Sequence, residues 1–219
     1  MRTYRNARQL EKTSNLERVI YRFGQMSIYQ AKYFLPPFTR AGEDPVPVTD
    51  ADALKVLKQL ELQRTIKIKG DVAYVFVTEN RTPLNYDQRI IDEIWFLLNF
   101  AYSNGCEKDA WDLIDDVITE KAGAVKMRFI LDHSNIINVI PVYSETDIPA
   151  LLLATKNRDA LIDNEKTGVK ETFVVMARDN NSLTRAVQVI PKDFPISNYV
   201  LIEGDNLTEP TGIKYLKTR

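Results

Sequence analysis

Residues 49–77 read TDADALKVLKQLELQRTIKIKGDVAYVFV, and a change of period inside this stretch decides how the front of the chain folds. Ala53, Val56, Leu57 and Leu60 recur at helical spacing, with Lys55, Lys58 and Gln59 on the opposite face. Thr49 and Asp52 stand three residues apart ahead of that stripe, a spacing that suits an N-terminal cap. From Ile66 the pattern alternates: Ile66 and Ile68 point one way, Lys67 and Lys69 the other. Gly70-Asp71 makes an acceptable two-residue turn, and Val72, Tyr74 and Phe76 carry the chain back. One amphipathic helix running into a hairpin is expected.

Two shorter helical segments precede it. Ser14 and Glu17 have capping-box spacing, and Leu16, Val19, Ile20 and Phe23 then fall on one face. Gly24 can end this helix and Ser27 can cap the next. In that second helix Ile28, Ala31 and Leu35 are expected inside, with Tyr29, Gln30 and Tyr33 outside. Pro36-Pro37 stops it, because proline has no N–H to give the helix ladder. The stretch RAGEDPVPVTD then reads as a loop.

Three helices and a hairpin over residues 14–77 resemble the winged-helix domains of bacterial regulators. The resemblance implies that the third helix enters the major groove, so that Lys55, Lys58 and Gln59 face the bases. It also places Lys67 and Lys69 of the wing on phosphates, with Tyr29 and Gln30 against the DNA backbone. Asp50 and Asp52 oppose this reading, since carboxylates in the first turn of a groove-reading helix repel phosphates. They are equally good partners for the positive end of a helix dipole. Some winged helices bind only protein, and that alternative stays open here.

At 219 residues the chain is comfortable for two domains, and we expect a boundary near residue 82 in the polar stretch VTENRTPLNYD. Residues 1–82 would form the winged-helix domain with a basic arm carrying Arg2, Arg5 and Arg8. Residues 83–219 would form a mixed α/β domain. Residues 1–81 carry 14 Lys/Arg against 9 Asp/Glu, while the remainder carries 15 against 21, so any polyanion is expected to meet the front. No apolar run is long enough to span a bilayer. The leading MRTYRNARQLEKTSN has no apolar signal-peptide core, and Cys106 is the single cysteine. A cytoplasmic protein without membrane contact is expected.

In the second part, Asp87 to Tyr102 reads as a strongly apolar helix, with Ile90, Ile94, Leu97, Leu98 and Ala101 on one face and Ile91 and Trp95 widening it. So broad a stripe suggests a helix covered by a sheet on one side. Lys108–Thr119 reads as a further helix with Trp111 and Leu113 in the core. MRFILD, IINVIPVY, ALLLAT, TFVVMA and YVLIE read as strands, and Asn181–Val189 as a helix closing a β-α-β unit. Strands as uninterrupted as TFVVMA and YVLIE suit a sheet covered on both faces. The class expected is α+β, a winged helix-turn-helix followed by a mixed-sheet, nuclease-like α/β domain.

That order of elements is similar to replication-relaxation proteins of plasmids and conjugative elements, whose C-terminal part resembles the PD-(D/E)xK nuclease fold. The resemblance implies an acid on one strand and an acid-x-lysine on a later one, since the carboxylates hold Mg²⁺ and the lysine stabilises developing charge. Asp132 can take the first place and Lys156 the lysine, but Ala154 stands where the second acid belongs. A divergent nuclease would need another acid, with Glu145, Asp147 and Glu171 as candidates. His133 is the only histidine, which rules out a multi-histidine metal cluster within one chain. No glycine-rich phosphate loop occurs. The expectation is a non-enzymatic DNA-binding accessory or regulatory protein of a bacterial plasmid or conjugative element, without catalytic residue, metal or cofactor, with duplex DNA, a partner protein or a second copy as partners.

Overall fold

The structure, a computed structural model, describes residues 2–37, 44–76, 85–103, 117–119, 125–132, 135–156, 170–204, 208–209 and 212–217. Among them the chain is a mixed α+β protein with five α-helices and two sheets. No helix among the described residues is long and apolar enough to cross a membrane. The chain divides into two compact units, and the first holds everything up to Tyr102.

The first unit opens with α1, Arg2–Phe23. The segment with Arg2, Arg5 and Arg8 is therefore the beginning of a helix, where an arm was expected. Ser14 sits in its interior, so the S-x-x-E pair caps nothing. The expected apolar face is correct: Leu16, Val19 and Ile20 are fully buried. Gly24, at φ +86°, reverses the chain into β1, Gln25–Ser27, a strand that the sequence reading missed. A short 3₁₀ turn, Ala31–Phe34, replaces the expected second helix.

Helix α2 spans Asp50–Leu62 and buries Ala53, Val56, Leu57 and Leu60, as their spacing predicts. Strands β2 (Ile66–Lys69) and β3 (Val72–Val75) pair antiparallel, with Lys69 opposite Val72 across the two-residue turn. Gly70 has φ +59° and Asp71 does not share it, the pattern of a hairpin turn that needs glycine in its first position. The three-stranded sheet has the order β1-β3-β2, leaving β2 at an edge.

Helix α3, Gln88–Ser103, belongs with these elements up to Tyr102. The Gln25 side chain donates to the Asp87 carbonyl and accepts from the Asp87 N–H. Gln30 donates to the Ile91 carbonyl at 2.7 Å, and Tyr33 meets Trp95 edge to face. The expected boundary at residue 82 separates this helix from the elements before it and lays it on a sheet. The two glutamines hold it to the first unit instead.

The second unit is built on a six-stranded sheet in sequence order: β4 (Val117–Thr119), β5 (Met127–Asp132), β6 (Asn135–Pro141), β7 (Lys170–Ala177), β8 (Ile196–Ile202) and β9 (Ile213–Lys217). Strands β6, β7 and β8 run parallel, and the remaining pairs are antiparallel. Helix α4, Ile148–Lys156, links β6 to β7, and α5, Asn180–Val189, links β7 to β8. Leu151 of α4 and Ala186 of α5 share one core with Ile140, Phe173 and Val175, so both helices cover the same face. Val174 and Met176 alternate to the other face and are fully buried too, so β7 is covered on both sides, as expected.

Two expectations fail here. ALLLAT is helical, not a strand, because an apolar run of that length suits either state and the flanking Ser144 and Asp147 cap a helical turn. The end of the expected helix at Lys108–Thr119 is strand β4 from Val117, while Trp111 and Leu113 lie outside the described residues.

Candidate nucleic-acid interface

The N-terminus of α2 is fixed by a reciprocal cap. The Thr49 hydroxyl oxygen accepts from the Asp52 N–H at 3.2 Å, and the Asp52 carboxylate accepts from the Thr49 N–H at 3.3 Å and its O–H at 2.7 Å. Thr49, followed by the Lys55 ammonium, holds the Asp52 carboxyl below its ordinary range. Lys55, with 78% of its side chain exposed, reaches back to Asp52 at 3.3 Å. Asp50 pairs with Lys32 of the 3₁₀ turn at 3.0 Å. Both acids that oppose a phosphate in this helix thus carry a cation.

The far end of α2 is tied to the hairpin. Glu61 accepts from the Ile68 N–H at 3.0 Å and pairs with Lys67 at 3.0 Å. These contacts, led by the Ile68 N–H, keep the Glu61 carboxyl below its usual range. Lys58 and Lys69 are exposed, and neither has a carboxylate at ion-pair distance among the described residues.

Five of the seven residues expected to touch nucleic acid come together on this helix and hairpin: Lys55, Lys58, Lys67 and Lys69 exposed, and Gln59 half-buried. Tyr29 is half-buried, its N–H donating to the Ser27 hydroxyl. Gln30 is a correction. Its side chain is fully buried, accepting from the Ser27 N–H and donating to Ile91, so it holds the core together and does not reach a ligand. Its amide is shared between strand β1 and helix α3.

Arg64 lies beside these residues and outside the set that the sequence suggests. Helix α2 ends in a paired reversal, with the Arg64 N–H donating to Glu61 and the Thr65 N–H to Leu60. Such a reversal needs a left-handed residue, normally glycine. Here it is Arg64, at φ +61° and exposed. The signal was available: five residues separate Leu60 from Ile66, none of them glycine, although the chain must turn back. Holding arginine in this conformation costs about 1 kcal/mol.

Among the described residues, those proposed for metal chemistry are placed as follows. Lys156 ends helix α4, so no strand carries the acid-x-lysine pattern through it, and Asp132 ends β5. Glu145 pairs with Arg185, Asp147 accepts from the Tyr143 and Ser144 N–H groups, and Glu171 accepts from Asn138. His133 and Cys106 lie outside the described residues. Among the described residues no group of three His, Cys, Asp or Glu comes together as metal ligands would. No protein-family model matches the chain, and neither a curated protein nor a solved structure gives a significant match.

Proposed function

We propose that the first unit is a winged helix that contacts duplex DNA through α2 and the β2–β3 hairpin, within a non-enzymatic accessory or regulatory protein. The observation that carries this reading is the order helix, strand, helical turn, helix, hairpin, with sheet order β1-β3-β2. It leaves the outward face of α2, with Lys55 and Lys58, beside a hairpin bearing Lys67 and Lys69. The second unit serves in this reading as a contact module for a partner protein or a second copy. The setting in a bacterial plasmid or conjugative element rests on the element-order resemblance alone.

The test is fluorescence anisotropy with a labelled random duplex at low and at physiological salt. Binding should fall by at least roughly tenfold between about 50 and 200 mM salt if three or more phosphates are neutralised. Replacing Lys55, Lys58, Lys67 and Lys69 together with alanine should weaken it further. Absence of binding at low salt overturns the proposal.

One observation favours a second reading, a protein-docking winged helix. Asp50, Asp52 and Glu61 stand among the lysines and pair with three cations, so the face is a mosaic of both signs. A basic partner protein would suit it, and the same titration decides, since this reading expects no salt-sensitive DNA binding.

A further inference from the structure

The cations around α2 and its hairpin fall into two groups. Lys32, Lys55 and Lys67 are each held by a carboxylate within 3.3 Å. Lys58, Arg64 and Lys69 have no carboxylate at ion-pair distance among the described residues, and Asp71, in the same turn as Lys69, does not pair with it. Two of the paired carboxylates cannot swing away when a phosphate approaches. Asp52 is pinned by the Thr49 N–H and O–H, and Glu61 by the Ile68 N–H. A phosphate reaching Lys55 or Lys67 meets a fixed negative charge beside the positive one, and gains little.

Arg64 stands apart for a second reason. It occupies the one left-handed non-glycine position among the described residues, where glycine or asparagine would be easier. Its side chain makes no hydrogen bond, ion pair or ring contact among the described residues that would offset this strain. Strain held at an exposed residue without an internal contact to account for it fits a residue kept for a ligand. A guanidinium is also the side chain best matched to phosphate, because it donates two parallel hydrogen bonds.

We infer that the phosphate-contacting residues of this face are Lys58, Arg64 and Lys69, with Arg64 the anchor and with Lys55 and Lys67 serving the fold. The inference rests on the DNA reading above and narrows it to three side chains, one of them outside the set that the sequence suggested.

The experiment is binding of the full chain to a fluorescein-labelled duplex of random sequence across a salt series, with thermal unfolding measured on the same samples. Arg64→Gly should raise Tm, because it relieves the backbone, and yet weaken binding about tenfold while lowering the salt slope by about 1. Arg64→Asn, which also tolerates the left-handed conformation, should weaken binding in the same way. A Lys55→Gln/Asp52→Asn double variant, which removes both charges of one pair together and leaves the net charge unchanged, should bind within about twofold of wild type. If Arg64→Gly and Arg64→Asn bind like wild type, the inference is overturned while the DNA reading stands. If the double variant loses more than the Arg64 variants, the division into two groups is wrong. If wild type itself does not bind at low salt, the DNA reading fails first.

Discussion

The Glu61 carboxylate accepts the Ile68 N–H at 3.0 Å, joining the last turn of α2 to the outer edge of the hairpin. Strand β2 is an edge strand, and its outward N–H groups have no strand partner. Glu61 satisfies one of them and holds Lys67 with the same oxygen. One ionised side chain therefore adds a tie between helix and hairpin.

Glu61→Ala should destabilise the protein by about 1 kcal/mol at neutral pH. The folded-state pKa of Glu61 is lowered from 4.5, so its contribution is fully present above that value and is lost as pH falls through the lower folded-state pKa. Urea unfolding of wild type and variant should differ at pH 7 and converge in acid. A difference that persists unchanged in acid would show that the carboxylate charge is irrelevant.

Gln30→Ala should cost about 1–2 kcal/mol, because it leaves the buried Ser27 N–H without its acceptor and takes a second donor from the Ile91 carbonyl. Its salt dependence of DNA binding should match wild type, since Gln30 is fully buried. A variant that keeps full stability but binds with a shallower salt slope would return Gln30 to the surface.

Thr49→Ala removes the cap of α2 and should cost about 1 kcal/mol by chemical denaturation. Thr49→Ser keeps the hydroxyl and should stay close to wild type. Equal losses in both variants would mean that the hydroxyl does not hold the helix.

In the second unit Asn138 is fully buried between Arg128, whose Nε donates to it at 2.7 Å, and Glu171, which accepts from it at 3.3 Å. Asn138→Leu keeps the volume and takes one hydrogen bond from each neighbour, so about 1–2 kcal/mol of stability should be lost. An unchanged unfolding midpoint would mean that water or another group replaces the amide.

Much of the fold is legible in local patterns. The stripe of α2, the Gly70-Asp71 turn and the strands MRFILD and TFVVMA each fall where their period puts them, because burial on one or both faces leaves a periodic mark. The errors have a common physical cause. Gln25–Ser27 is too short to show a period, and it becomes a strand only by pairing with β3, far along the chain. That pairing turns Gln30 inward, where it meets Ile91, a partner that no local window contains. ALLLAT fits a helix and a strand equally well by composition, and only the cap at Ser144 and Asp147 separates them. At the candidate interface the lysines were readable from their alternation with buried residues. Which of them are neutralised was not, because Asp52 and Glu61 take their roles from backbone N–H groups that only the folded chain presents.

The parallel run β6-β7-β8 carries a consequence for how the protein is made. Register sets Asn135 beside Lys170 and Val174 beside Asn198, so each pairing must close a long excursion through a helix. The β2–β3 hairpin closes over two residues. Loop entropy makes the short closure fast and the long ones slow. Refolding should therefore show a rapid phase from the first unit and a slower one from the second. During that interval Phe173, Val174, Val175 and Met176, all fully buried in the finished sheet, are exposed to other unfinished chains, so yield on refolding should fall as protein concentration rises.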